Sequence, residues 1–259
     1  MVDGPLLAYR ALRRKGDLQP DPMQELAAEK LQSLHNALAG YEPVKGLQGW
    51  AARLGFVRRT EDPPQGLYIY GPVGRGKSML MDLFFEHAPV GNKRRVHFHA
   101  FMIEVHDAVH AWRQDANRKS DRDPLPQIAE QIAVDTWLLC FDEFHVTNIA
   151  DAMILGRLFT ALFEHGVVVV TTSNFAPDEL YKNGLQRARF LPFIELLKQK
   201  LDFLELASPT DYRLARLKAM RVFHAPLGPA ASRTLQKVFE DLTAGAEAQP
   251  EELTVKGRA

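Results

Sequence analysis

Residues 71–78 read Gly71-Pro72-Val73-Gly74-Arg75-Gly76-Lys77-Ser78, and this stretch decides the fold. It matches the P-loop pattern, in which two glycines separated by four residues are followed by Lys and then by Ser or Thr. The glycines of such a loop let successive main-chain N–H groups point at phosphates, the lysine reaches the β- and γ-phosphates, and the hydroxyl ligates Mg²⁺. We therefore predict a nucleotide site over these residues and Met79, with Lys77 on the phosphates and Ser78 on the metal.

The residues on either side of this loop alternate between short apolar runs and amphipathic stretches. The candidate strands are Leu67 to Tyr70, Val96 to Phe101, Trp137 to Phe141, Val167 to Thr171 and Leu201 to Leu206. The candidate helices are Lys77 to His87, Met102 to Gln114, Ile149 to Glu164 and Leu185 to Lys200. This alternation is typical of a parallel sheet with crossover helices, so we predict an α/β fold of the P-loop NTPase type.

Three regions are expected along the chain. Residues 1–60 form an N-terminal helical segment, in which Asp21 before Pro22 predicts a helix start through an N-cap and a first-turn proline. Residues 61–208 hold the nucleotide-binding core, and the charged stretch Asp115 to Pro126 within it is expected to be an exposed loop. Residues 209–259 carry one clear helical pattern, Ser232 to Leu242.

Two carboxylates follow the third candidate strand. Asp142 and Glu143 come directly after an apolar run, which predicts that Asp142 lies at the carboxyl edge of a buried strand, where ligands of open α/β sheets bind. A P-loop site needs such a carboxylate for the Mg²⁺ shell. Glu143 is then placed to take a proton from an attacking water, so the pair favours hydrolysis over simple phosphate transfer.

The fourth candidate strand ends in Thr172-Ser173-Asn174. A polar side chain at this edge can contact the γ-phosphate and orient the attacking water, and we assign that role to Asn174. The alternative is that Ser173 and Asn174 only form a turn.

Charge, cysteine content and hydropathy exclude several classes of protein. The chain has 32 Lys and Arg against 32 Asp and Glu, so it lacks the basic excess of a dedicated nucleic-acid binder. Its one cysteine cannot form an intrachain disulfide, which favours a reducing compartment. Its apolar runs are far shorter than the ~18 residues of a membrane span, and no signal peptide is evident. We expect a soluble, cytoplasmic protein.

Together these residues resemble an AAA+ ATPase. Within that class, the sequence resembles the ZapE cell-division ATPases and their mitochondrial relatives, the lactation-elevated ATPases. The stretches that carry it are Arg95 to Met102, Leu138 to Phe144, Val146 to Met153 and Asn183 to Arg187. The resemblance implies an ATPase that binds ATP and Mg²⁺, assembles as a homo-oligomeric ring and acts on a protein such as the FtsZ division ring.

The resemblance also implies roles for individual residues. Asp142 and Glu143 become the Walker B pair, Asn174 becomes sensor 1, and Arg187 becomes the arginine finger offered to a neighbouring subunit, with Arg189 as its competitor. Gln24, near the start of the N-terminal helix, is expected beside the adenine. Family members normally continue beyond the position of Ala259, so the helical lid is expected to be partial and truncated here.

Two other functions stay open at this stage. A DNA-linked AAA+ ATPase such as a helicase loader shares the same P-loop, acidic pair and sensor. A phosphotransferase acting on a small molecule also shares the P-loop, but it has no need of Glu143.

Overall fold

The computed structural model describes residues 4–43, 62–114, 123–207 and 228–242. The chain divides into two compact units, Met1–Thr210 and Asp211–Ala259. The first unit contains, in chain order, α1 (Pro5–Lys15), α2 (Pro22–Leu38), β1 (Gly66–Tyr70), α3 (Lys77–His87), β2 (Lys93–His97), α4 (Phe98–Gln114), α5 (Leu125–Asp135), β3 (Leu138–Asp142), α6 (Ile149–Glu164), β4 (Val168–Ser173), two short 3-10 turns (Pro177–Glu179 and Arg187–Arg189), α7 (Leu191–Lys200) and β5 (Leu201–Glu205). The described part of the second unit forms α8 (Pro229–Leu242).

The five strands form one parallel sheet in the order β2-β3-β4-β1-β5. The strand that precedes the P-loop, β1, is therefore separated from β3 by β4. All residues of β3 and β4 are buried, as expected for central strands covered on both faces. The predicted α/β class and parallel sheet are confirmed.

Helices cover both faces of the sheet, and the alternation of side chains along each strand divides the core in two. On one face Leu67, Leu138 and Val170 pack with residues of α1, α2 and α3. On the other face, Tyr68 and Phe141 pack with residues of α4, α5, α6 and α7. Across the described ranges, no helix is both long enough and apolar enough to span a membrane.

The helix starts agree with their sequence signals. The Asp21 side chain accepts hydrogen bonds from the main-chain N–H groups of Met23 (2.9 Å) and Gln24 (3.3 Å), so the predicted N-cap of α2 is confirmed. The observed bounds of α3 and α6 equal the predicted ones. The predicted N-terminal segment ends at residue 60, and its residues 44–60 lie outside the described part.

The second predicted strand was wrong beyond His97. The chain leaves β2 there and enters α4 at Phe98 without a connecting loop. Phe98, Phe101 and Val105 recur at helical spacing, and all three are buried against the sheet. Burial of this helical face decides the structure over the β-forming preference of Phe98 and Phe101.

Two helix boundaries were also wrong. The helix predicted from Leu185 begins at Leu191, because Gln186 has a positive φ of 57° that a helix cannot contain. The predicted loop Asp115 to Pro126 ends inside α5, a helix that the sequence analysis did not predict. Residues 115–122 of that loop lie outside the described part. Prolines in the first turn of a helix are tolerated, since no intrahelical N–H is lost there.

Candidate nucleotide-binding site

The P-loop connects β1 to α3 and passes close to other backbone. Gly71 has φ 146°, and a Cβ there would lie 2.6 Å from the carbonyl oxygen of Leu206. Gly76 has φ 86°, and a Cβ there would lie 2.8 Å from Nε2 of Gln24. Glycine is therefore required at Gly71 by conformation and by the nearby backbone, and it is favoured at Gly76 by conformation.

Lys77 is the first residue of α3, and its side chain lies within the loop. Nζ donates hydrogen bonds to the carbonyl oxygens of Gly71 (2.7 Å) and Pro72 (2.9 Å). Ser78 follows it and is exposed. The first turn of α3 therefore presents a cation, a hydroxyl and the positive end of a helix dipole, which together favour a bound phosphate.

Asp142 is the last residue of β3 and is only 6% exposed. Its Oδ2 accepts a hydrogen bond from Nε of Arg95 at 2.6 Å, whereas its buried Oδ1 has no hydrogen-bond partner. A buried carboxylate oxygen without a partner is costly, and an ion that binds at the site is one way to satisfy it. Ser78 and Asp142 fit Mg²⁺, which takes oxygen ligands and is usually held by one or two carboxylates plus substrate phosphates. Among the described residues no three His, Cys, Asp or Glu side chains lie close enough to hold a metal by themselves.

Glu143 stands just beyond the strand in a left-handed conformation. Its φ is 56°, its side chain is exposed, and its main-chain N–H donates to Oγ1 of Thr172 at 3.3 Å. Such a conformation is unfavourable for a residue other than glycine, and strain of this kind concentrates at functional sites.

The end of β4 connects the P-loop to the acidic strand end. The N–H of Gly71 donates to the carbonyl oxygen of Ser173 at 3.2 Å. On the other side, the N–H of Phe144 donates to the carbonyl oxygen of Thr172 at 2.8 Å, and the Ser173 hydroxyl donates to the carbonyl oxygen of Phe144 at 2.7 Å. Asn174 follows with an exposed side chain. The structure therefore brings the P-loop, Asp142-Glu143 and Asn174 to one edge of the sheet.

Gln24 lies against the P-loop rather than apart from it. It is buried in the first turn of α2, its Nε2 donates to the carbonyl oxygen of Arg75 at 3.0 Å, and its Oε1 accepts from the Tyr9 hydroxyl at 3.5 Å. The main-chain contact explains why this residue is near the site. Its predicted position beside the adenine stays a prediction.

Arg187 lies in the loop after β4 and is held by its own chain. Its Nη2 donates to the carbonyl oxygen of Asp178 at 2.6 Å, and its Nε is buried without a hydrogen-bond partner. Arg189, two residues later, is exposed. The assignment of a finger to either residue stays a prediction.

Sequence reasoning gave no role to two residues that support the site. Thr172 supplies the hydroxyl that binds the N–H of Glu143, and Arg95 supplies the guanidinium that binds Asp142. The sequence carried little signal for Arg95, because the candidate strand was placed from Val96 and only the structure extends β2 back to Lys93 and so sets Arg95 beside Asp142.

These features define a P-loop NTPase: a phosphate loop, an acidic strand end and a polar strand end at one sheet edge, with the polar strand between the other two. The chain belongs to the AFG1-like ATPase family, since the family model matches residues 4–259.

Relatives of known name agree with this membership. The cell division protein ZapE of Escherichia coli K12 is 40% identical over 247 residues, which cover 93% of this chain and 64% of ZapE. The lactation elevated protein 1 homolog B of Danio rerio is 38% identical, with 96% of this chain and 58% of the relative covered. The chain thus spans about two thirds of the length of these relatives or less.

A crystal structure of DnaI is 15% identical, with a TM-score of 0.49 and coverage of 76% of this chain and 88% of DnaI.

Proposed function

We propose that this chain is a Mg²⁺-dependent ATPase that hydrolyses ATP to ADP and phosphate and uses the cycle to remodel a protein partner. One observation carries the ATPase part: the end of β4 is hydrogen-bonded to the P-loop on one side, through Gly71, and to the Asp142-Glu143 strand end on the other, through Phe144. Phosphate-binding, metal-binding and proton-accepting groups are thereby held at one edge of the sheet.

Each residue has a distinct part in the proposed reaction. The main-chain N–H groups of residues 73–78 and the Lys77 ammonium hold the phosphates, while Ser78 and Asp142 would hold Mg²⁺. The metal supplies positive charge to the phosphate oxygens when it is bound. Glu143 accepts a proton from the attacking water, and Asn174 orients that water against the γ-phosphate.

The assembly is proposed to be a homo-oligomeric ring in which Arg187 completes the neighbouring site. In this chain Arg187 donates a hydrogen bond to the carbonyl oxygen of Asp178. Release of this bond in the ring would free the guanidinium for the γ-phosphate of the adjoining subunit. Positive charge supplied in this way stabilises the charge that develops in phosphoryl transfer.

The proposed partner is a division protein of the FtsZ type, and the proposed compartment is the cytoplasm. The support is the 40% identity to a relative named as a cell division protein. A balanced net charge also gives no electrostatic reason to favour nucleic acid over protein as the partner.

The test is phosphate release by the purified chain alone, with FtsZ polymers and with single-stranded DNA. We expect Mg²⁺-dependent turnover that FtsZ polymers stimulate and that Lys77→Ala abolishes. Stimulation by DNA with no response to FtsZ would instead favour the helicase-loader function. Transfer of phosphate to a small acceptor in place of water would contradict hydrolysis.

A further inference from the structure

Arg95 joins two carboxylates that belong to different elements. From the edge strand β2, its Nε donates to Oδ2 of Asp142 at 2.6 Å, and its Nη1 forms an ion pair with Oδ1 of Asp82 on α3. The three side chains thus connect β2, β3 and α3, of which β3 ends in Asp142 and α3 begins with the P-loop lysine.

Asp82 lies on the same face of α3 as Ser78. The two residues are four positions apart, which places them one above the other on a helix. Through Asp82 and Asp142, Arg95 is bonded to the elements that carry both protein ligands assigned to the metal, the Ser78 hydroxyl and the Asp142 carboxylate.

The charge of Arg95 stabilises the two carboxylates that it contacts. Burying a carboxylate such as Asp142 costs free energy, and a cationic partner offsets that cost. Burial lowers the pKa of the Arg95 guanidinium, but its hydrogen bonds to Asp142 and Asp82 outweigh this, and its pKa is raised above the ordinary value. Arg95 therefore remains a cation against both carboxylates.

The two carboxylate oxygens of Asp142 have different environments. Oδ2 is taken by Arg95, and Oδ1 is buried without a hydrogen-bond partner. A single fixed bond to one oxygen sets the rotation of the carboxylate and leaves the other oxygen available to a metal or to a metal-bound water.

We propose that Arg95 is a positioning residue for metal binding: it orients Asp142 through Oδ2, leaves Oδ1 for Mg²⁺, and through Asp82 fixes the position of α3 relative to β3. This inference rests on the proposed function, because it assumes that Asp142 serves the metal. It predicts that loss of Arg95 weakens Mg²⁺ while nucleotide contacts with the P-loop persist.

The preceding residue on the same strand is a matched control. Arg94 is also half-buried on β2, but its guanidinium pairs with Glu104 of α4, so it lies away from Asp142. Arg94→Gln and Arg95→Gln remove the same charge from adjacent positions of one strand. A general effect of charge or of strand stability would appear in both variants.

The experiment is binding of a fluorescent ATP analogue, first in EDTA and then with increasing Mg²⁺, for the wild-type chain and its variants. We expect Arg95→Gln to raise the half-saturating Mg²⁺ concentration about tenfold, as loss of a residue that orients a metal ligand does, with affinity in EDTA unchanged. Arg95→Lys keeps the charge but reaches only one carboxylate, so we expect a rise of about threefold. Arg94→Gln should stay within about twofold of wild type.

The outcomes separate this inference from the proposed function. If Asp142→Asn leaves the Mg²⁺ dependence unchanged, the metal assignment fails and the role of Arg95 fails with it. If Asp142→Asn shifts the dependence while Arg95→Gln behaves as Arg94→Gln, the Arg95 inference alone is overturned. Should Arg95→Gln fail to fold, Arg95→Lys decides, because a wild-type Mg²⁺ dependence in that variant contradicts the proposal.

Asp82 gives a second, independent measurement. Asp82→Asn should raise the half-saturating Mg²⁺ concentration by less than Arg95→Gln, since Arg95 keeps its bond to Asp142. The double variant should match Arg95→Gln alone, because Asp82 acts through Arg95. Additive effects of the two substitutions would contradict the proposal that Asp82 acts through Arg95.

Discussion

The main-chain N–H of Glu143 donates a hydrogen bond to the side-chain oxygen of Thr172 on the neighbouring strand, 3.3 Å away. This bond supports the left-handed conformation of Glu143, which directs the chain away from β3 as soon as the strand ends. A residue of the next strand therefore helps to fix the group proposed as the general base.

Thr172→Val keeps the shape of the side chain and removes only this hydroxyl. We expect kcat for ATP hydrolysis to fall about tenfold with little change in nucleotide affinity, because misplacement of a catalytic group affects the reaction more than binding. Thr171→Val is the control, since Thr171 is also buried on β4 but its hydroxyl donates to the carbonyl oxygen of Thr172, at 3.5 Å. Equal effects of the two substitutions would contradict a specific role for Thr172.

Gln24→Met keeps the length of the side chain and removes its bond to the carbonyl oxygen of Arg75. A hydrogen bond of this kind contributes about 1 kcal/mol, so we expect ATP affinity to weaken about fivefold if the bond holds the P-loop ready for phosphate. Nucleotide titration measures this, with Ser33→Ala on the exposed face of α2 as the control. An unchanged dissociation constant would show that α2 supports the fold and not the nucleotide.

Gly76→Ala should weaken nucleotide binding, since alanine is strained at a φ of 86° and its Cβ, 2.8 Å from Nε2 of Gln24, would displace that side chain from the loop. The strain is expected to displace the loop and to cost at least about 1 kcal/mol of stability. Gly91→Ala has nothing within 4 Å of its Cβ and serves as the control. Thermal melting and ATP titration of both variants measure the two effects, and wild-type binding by Gly76→Ala would contradict the close fit.

Arg187→Ala should bind ATP normally and lose hydrolysis at least about a hundredfold, because a finger acts only on the transition state of a neighbouring subunit. Mixing it with Lys77→Ala protein should restore part of the activity at mixed interfaces, and Arg189→Ala is the parallel variant. No recovery in the mixture would exclude action in trans, and loss confined to Arg189→Ala would move the finger to that residue.

The sequence was sufficient for the parts of the site that depend on local pattern. The P-loop is contiguous and sets the start of α3, the buried run before Asp142 marks a central strand, and α6 begins after Asn148, whose side chain accepts a hydrogen bond from the N–H of Ala150. Contacts between residues far apart in the sequence could not be predicted from it. Arg95 and Asp142 are 47 positions apart, and their bond depends on β2 lying beside β3 in the sheet order.

Boundaries failed where tertiary packing or unusual backbone decides them. Phe98 and Phe101 after His97 favour a strand, yet these residues form α4 because its helical face covers the sheet. The loop before α7 contains left-handed residues at Asn183 and Gln186, neither of which is a glycine that would have signalled the turn.

The central claim is that Glu143 activates water for ATP hydrolysis at this sheet edge, and Glu143→Gln tests it most directly. The substitution keeps size and hydrogen bonding but cannot accept the proton. Single-turnover phosphate release, measured beside ATP retention, should slow by at least about a hundredfold while ATP stays bound with wild-type affinity. Phosphate release at the wild-type rate by Glu143→Gln would contradict the account.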